Sequence, residues 1–456
     1  MNVYSLSLLL LLVEHSNITS AYSTFTSGLS SRNILTRKAS PKFTYEKPKS
    51  PSRHPQGNAI CMFRDIKSDD GKQKNHQSAS LSTVENKLSY TKLGNLVVPS
   101  VGIGTIAWSS KSLTQLENLE LQSVVNEASK LDGAFFDTAE RYGSHLKTAM
   151  GLGYGETELL LSKLIRRSKD VDNLSSKEPI IATKFTPTPW RTTVDSVVEA
   201  CEQSRQRLGV DQIDLYQLHM PDIVQPLRVF GLGKSKDEVY WKGLAECHRL
   251  GLVKNVGVSN YGPTLVEKCQ DALGKYNVPL ATNQIAYSLI GRGNGSQQTV
   301  DKCSELGVKV LAYYPFAMGL LTGKYSSSVE SLSDTMITTL SSSKRSSLEL
   351  NDLQKYANGM NPLLTEMEAI AKARNKTIAQ VALNYIICKG AIPIPGARSI
   401  DQVKDNIGSM GWRLDDAEVE LLEREADKLG YTFEGAGFKR TSEKFVGYGV
   451  EKWSLD

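Results

Sequence analysis

Residues 180–219 read IIATKFTPTPWRTTVDSVVEACEQSRQRLGVDQIDLYQLH, and the reading of this stretch decides the fold. Ile180 to Lys184 is a short β-branched run, Val194 to Leu208 repeats its apolar residues at helical spacing, and Ile213 to Leu218 is a second apolar run. Two nearly continuous apolar strands flanking an amphipathic helix indicate a parallel βα unit, whose sheet is covered on both faces. The unit recurs outward in both directions. Further strands are expected at Val101 to Ile106, Ala134 to Asp137, Asn255 to Val258, Leu280 to Ile285, Val308 to Tyr313 and Ala391 to Ile394. The intervening helices are expected at Leu116 to Leu131, Thr157 to Arg167, Asp237 to Leu250, Thr264 to Tyr276, Ser296 to Leu306 and Thr377 to Cys388. Eight strands with alternating helices predict an α/β fold, a (β/α)8 TIM barrel, as one domain over residues 88–430. Tyr90 to Val98 reads as a β-hairpin turning at Leu93-Gly94-Asn95, an N-terminal plug before the first barrel strand. Ser326 to Ser347, dominated by Ser and Thr, is expected to be a mobile loop or lid. Gly151, Gly153 and Gly155 lack G-x-G-x-x-G spacing and do not directly follow a strand, which argues against a Rossmann dinucleotide site.

With 456 residues, 40% of them hydrophobic and 23% charged, the chain has the material for a large core and is neither disordered nor collagen-like. The net charge of +5 is a weak hint of an anionic partner, and its distribution removes the hint. Residues 1–87 hold twelve Lys/Arg and six Asp/Glu, a balance of +6, so the rest of the chain stands at −1. No nucleic-acid or membrane partner is expected. The apolar run Leu6 to Val13 is far short of the roughly 20 residues of a spanning helix. Thr19 and Ala21 precede Tyr22 as small residues of a cleavage site, so residues 1–21 are signal-like. Residues 22–45 are free of acidic groups, rich in Ser and Thr, and carry Arg32, Arg37, Lys38 and Lys42, a transit-like composition. Signal followed by transit resembles a bipartite plastid presequence, and the expectation is a plastid stromal protein; a secreted protein and a cytoplasmic one with a disordered tail are the other readings. Residues 431–456 read as a C-terminal tail. The six cysteines are scattered without a C-x-x-C pair, as small, reduced, buried residues with no metal to hold.

In such a barrel the chemistry sits at the C-terminal ends of the strands. The second strand ends in Phe136-Asp137-Thr138-Ala139-Glu140-Arg141-Tyr142-Gly143, the third in Ala182-Thr183-Lys184-Phe185 and the fourth in Gln217-Leu218-His219. Singly, Asp137 would serve as a helix cap, Tyr142 as a loop aromatic, Lys184 as a solvated end and His219 as a satisfied polar group. On three successive strand ends they converge. A phenol with a reference pKa of about 10 donates a proton poorly at neutral pH unless a cation stabilises the phenolate, which Lys184 supplies and Asp137 holds in place. His219 can hydrogen-bond a carbonyl oxygen.

From about Tyr90 to Leu429 these motifs resemble the aldo-keto reductase superfamily, most closely its plant chloroplast members, pyridoxal reductases among them. The resemblance implies a small carbonyl substrate, Tyr142 as general acid, a Lys184–Asp137 pair lowering its pKa, His219 positioning the carbonyl, and hydride from a nicotinamide cofactor. Superfamily members that reduce conjugated double bonds carry Glu at the His219 position, so carbonyl chemistry is implied here. By the same resemblance Ser259, Asn260 and Gln284 hydrogen-bond the nicotinamide carboxamide, although Ser259-Asn260 also suits a plain capping turn. Tyr313, first of a double Tyr where Tyr-Ser is usual, stacks on the nicotinamide; Pro315, Phe316, Met318 and Lys324 meet the pyrophosphate. Gly396 opens a loop that feeds a helix N-terminus, a setting that favours an anion. Arg398 would take the 2′-phosphate of NADP, and Gln402, Asp405 and Asn406 the adenosine end, so NADPH/NADP+ is the expected cofactor. Some relatives on this barrel bind NADPH chiefly as redox sensors, a second reading with little turnover. Trp108 and Trp190 suit either apolar substrate walls or core packing.

Overall fold

The structure is a computed structural model that describes residues 89–108, 115–143, 154–169, 175, 177–222, 235–293, 295–324, 359–430 and 432. The presequence, almost all of the C-terminal tail, Ser326 to Ser347, Gly151, Gly153 and Cys61 lie outside the described residues. In chain order the elements begin with the hairpin β1 (Tyr90–Leu93) and β2 (Leu96–Pro99), then β3 (Ile103–Gly104), α1 (Gln115–Ala128), β4 (Phe135–Asp137), α2 (Glu156–Ser168) and β5 (Ile180–Phe185). They continue through α3 (Val194–Leu208), β6 (Ile213–Leu218), α4 (Asp237–Arg249), β7 (Val253–Ser259), α5 (Pro263–Gly274), β8 (Leu280–Ala286), α6 (Ser296–Glu305) and β9 (Lys309–Tyr313). After these come α7 (Asn361–Ala373), α8 (Ile378–Cys388), β10 (Ile392–Pro393), α9 (Ile400–Ile407) and α10 (Asp416–Asp427).

Strands β3 to β10 form one eight-stranded parallel sheet in sequence order. It closes through a parallel bridge between Gly104 and Gly396, with Gly102 N donating to Pro393 O and Gly104 N to Pro395 O, both at 2.9 Å. This is the expected (β/α)8 barrel. The first and last strands are shorter than Val101 to Ile106 and Ala391 to Ile394 suggest, because Pro393 and Pro395 have no N–H to extend a ladder. Ile106–Trp108 turns instead into a 3-10 helix.

Helix α3 keeps the limits expected of it for local reasons. Thr193 accepts from Ser196 N in a capping box, and Gly209 ends the helix in the left-handed region at φ 67°. Its buried face, Val197, Ala200, Cys201, Ser204 and Leu208, follows the helical period and packs on the outside of the barrel.

Inside the barrel a separate apolar layer joins Phe135, Ala182, Leu215, Ala281, Leu311, Ile392 and Ile394 to Leu93 and Val98 of the hairpin. The hairpin is therefore a plug, and its turn is seated closely: Gly94 is left-handed at φ 55°, and a side chain there would collide with Asn255 Oδ1. Cys201, Cys247, Cys269 and Cys303 are buried free thiols and Cys388 is half-buried.

Candidate functional site

Side chains of a strand alternate between its faces, so the residue two places beyond an inward apolar one also points inward, nearer the C-terminal mouth. Asp137 follows Phe135 in this way, Lys184 follows Ala182, and Gln217 and then His219 follow Leu215. The second layer is polar. Lys184 is fully buried and Asp137 nearly so, and the ammonium donates to Asp137 Oδ2 at 2.6 Å, Thr138 O at 2.7 Å and Tyr142 Oη at 3.2 Å. An ammonium has three donors, and all three are used. Burial pulls the Lys184 ammonium below its usual range, and the adjacent Asp137 charge opposes that pull. The other Asp137 oxygen accepts from Gln284 Nε2 at 2.8 Å and, at 3.4 Å, from Gln217 Nε2. Thr282 Oγ1 in turn donates to Gln217 Oε1 at 3.1 Å. A side chain at Gly257 would strike Thr282 Oγ1, so the glycine keeps this layer closed.

Tyr142 and His219 meet edge to face, their ring centroids 5.8 Å apart at an interplanar angle of 76°. His219 is half-buried, whereas Tyr142 is only 8% exposed. Burial, followed by the charges of Lys184 and Arg141, holds the imidazole well below its ordinary pKa, so it is neutral at neutral pH. The four expected residues therefore form one cluster.

The residues expected at the nicotinamide end form a second ring of contacts beside it. Ser259 Oγ donates to Gln284 O at 2.8 Å, and Asn260 Nδ2 donates to His219 O at 3.0 Å and Ser259 Oγ at 3.1 Å. Tyr313 Oη donates to Asn260 Oδ1 at 2.6 Å. Asn260 adopts these contacts with a left-handed backbone, φ 64°. Of the double tyrosine, Tyr313 continues the inward face of β9 above Leu311, and Tyr314 stands against it with centroids 5.2 Å apart. Beyond Pro315 and Phe316, Ala317 and Met318 are left-handed at φ 47° and 59°; such strain in non-glycine residues gathers at ligand-binding turns. Lys324 lies exposed at the end of this described segment.

At the other end Gly396 and Arg398 are exposed. Ser399 caps α9 by accepting from Gln402 N at 3.3 Å, while Gln402 Oε1 accepts from Arg398 N at 2.7 Å. Asp405 accepts from Thr377 Oγ1 at 2.8 Å, tying α9 to α8. Asn406 is 4% exposed, and its Nδ2 is a buried donor with no acceptor among the described residues. Such a donor fits a nitrogen or oxygen acceptor of a bound nucleotide. Trp108 is core rather than wall: it is 1% exposed, donates from Nε1 to Ala397 O at 2.8 Å and packs on Phe136. Trp190 is 53% exposed.

Sequence reasoning missed the buried acids behind the site. Glu140 is fully buried, accepts from Thr186 N at 2.7 Å and pairs with Arg191, whose guanidinium lies between the rings of Tyr154 and Phe185 at 4.8 and 5.3 Å. Burial raises the Glu140 carboxyl, and the Arg191 charge opposes the shift. Glu158 is likewise buried and holds Thr183 Oγ1 and Arg207 Nε, each at 2.6 Å. The one signal in the sequence was an acid, Glu140, set among the buried residues of a strand end.

A parallel barrel with a phenol, an ammonium, a carboxylate and an imidazole gathered at its C-terminal mouth is the class that fold and site define. The Aldo/keto reductase family matches residues 100–426, and the chain belongs to that family. It is 38% identical over 336 residues to a chloroplastic pyridoxal reductase of Arabidopsis thaliana, an alignment covering 73% of this chain and 84% of the relative. It is 28% identical to Protein REDOX 2 of Catharanthus roseus, over 73% of this chain and 87% of that one. Among solved structures, the Bombyx mori aldo-keto reductase AKR2E4 in complex with NADP shares the fold at a TM-score of 0.53 and 21% identity, covering 76% of this chain and 98% of its own.

Proposed function

We propose that the protein reduces an aldehyde or ketone to an alcohol with NADPH, Tyr142 acting as general acid. The observation that carries this reading is the Lys184 ammonium, fixed on buried Asp137, with one N–H on Tyr142 Oη at 3.2 Å. The phenol oxygen accepts from Lys184, so when its proton passes to a carbonyl oxygen the phenolate left behind is stabilised by the ammonium. Neutral His219 supplies a second hydrogen bond to that oxygen. NADPH, when bound, would supply the hydride for the carbonyl carbon. Ser259, Asn260, Gln284 and Tyr313 are the residues for its nicotinamide, Pro315, Phe316, Met318 and Lys324 for its pyrophosphate, and Gly396, Arg398, Gln402, Asp405 and Asn406 for its adenosine phosphate.

Purified protein with NADPH and 4-nitrobenzaldehyde tests the reading by the loss of absorbance of the reduced cofactor. Tyr142→Phe should lower kcat by about 10²–10⁴-fold. Equal rates in the two proteins would sink it. Pyridoxal is the favoured particular substrate, supported by the 38% identity to a protein named for that activity; a panel with methylglyoxal and aromatic aldehydes decides, because kcat/KM should be highest for pyridoxal. Little turnover, with cofactor that survives gel filtration, would point to a sensor instead. The plastid stroma is the proposed location, supported by the signal-then-transit composition of residues 1–45 and the chloroplastic relative. Residues 1–87 fused to a fluorescent protein should carry it into plastids.

A further inference from the structure

Thr186 lies at the turn after β5, is 1% exposed, and places its Oγ1 3.3 Å from Nδ1 of His219. The turn is held from behind by Glu140, which takes the Thr186 amide at 2.7 Å while paired with Arg191. Glu140 belongs to the same segment as Asp137 and Tyr142, so one buried carboxylate ties the segment carrying the acid to the turn facing the imidazole. We infer that Thr186 is a positioning residue, whose hydroxyl donates to His219 Nδ1 and thereby keeps the ring proton on Nε2, the nitrogen left to face a substrate carbonyl.

The direction of that hydrogen bond follows from satisfaction of donors. Among the described residues His219 Nδ1 is the one hydrogen-bond partner of the Thr186 hydroxyl. A buried O–H needs an acceptor, and a ring nitrogen accepts only when it carries no proton. A neutral imidazole whose Nδ1 accepts must hold its proton on Nε2. In the opposite tautomer Nδ1–H would donate to Thr186, the hydroxyl proton would be stranded, and Nε2 would present a lone pair to the oxygen it is meant to bind. The role of Nε2–H rests on the carbonyl-reduction reading; the tautomer does not.

The full-length protein labelled with ¹⁵N-histidine gives the tautomer directly from long-range ¹H–¹⁵N correlations, with His219→Gln identifying the signals. Wild type should show Nε2–H. Thr186→Val, which keeps the shape and removes the donor, should populate the Nδ1–H form and lower kcat/KM for 4-nitrobenzaldehyde about tenfold, the scale of one hydrogen bond. Thr186→Ser should restore both. A wild-type ring protonated on Nδ1 overturns the inference, as does a Thr186→Val protein with an unchanged spectrum or a Thr186→Ser protein that fails to recover. If wild type proves unable to reduce carbonyls, the functional reading falls while the spectrum still decides on Thr186.

Discussion

Along β4, β5, β6 and β9 the inward face carries an apolar residue and, two places later, a polar or aromatic one: Phe135 then Asp137, Ala182 then Lys184, Leu215 then Gln217, Leu311 then Tyr313. The lower layer is held by close packing with the hairpin, and the upper by hydrogen bonds and one buried ion pair. The same backbone thus serves stability at one level and chemistry at the next, without a separate domain for either. The layers should fail differently.

Lys184→Met is the harshest test, because it leaves Asp137 buried and unpaired. It should cost about 3–5 kcal/mol of stability and reduce turnover along with it; urea denaturation and steady-state rates check both. Phe135→Ala, one layer down, should cost a comparable 3–5 kcal/mol through its cavity yet leave kcat of the folded protein unchanged. A kcat that falls together with stability would show that the layers are coupled. The smallest effect is on pH dependence. His219 has a folded pKa well below its unfolded value of about 6.5, so its contribution to stability is complete above that value and is lost as pH falls through and below it. Between pH 7.5 and 5.5 the loss from this residue should be about 1 kcal/mol, read as the difference in denaturation slope between wild type and His219→Gln.

The alternation that separates the layers is also what made much of the site legible. Asp137, Lys184 and His219 end strands whose runs could be traced in the sequence, and β6 and α3 fall within their expected limits because caps and apolar periodicity agree there. Helices α7 and α10 went unread. Helix α10 carries a capping box from Asp415 to Glu418, and of its residues only Leu422 and Ala426 are fully buried. The pairing of Glu140 with Arg191 spans 51 residues and is made by tertiary structure alone, so no local pattern announces it. Nor does sequence show that Trp108 turns inward to Ala397 while Trp190 is left outside.

The hairpin matters for where this protein can be cut. The family match begins at residue 100, immediately after β2. A version started there would lack Leu93 and Val98, and water would reach Phe135, Ala182 and Leu215 from the end of the barrel opposite the mouth. The Lys184–Asp137 pair lies one side chain above that floor. Water admitted from below would weaken the interaction on which the phenol depends, so the shortened protein should be both stickier and a poorer acid catalyst, although every residue of the site remains in the chain.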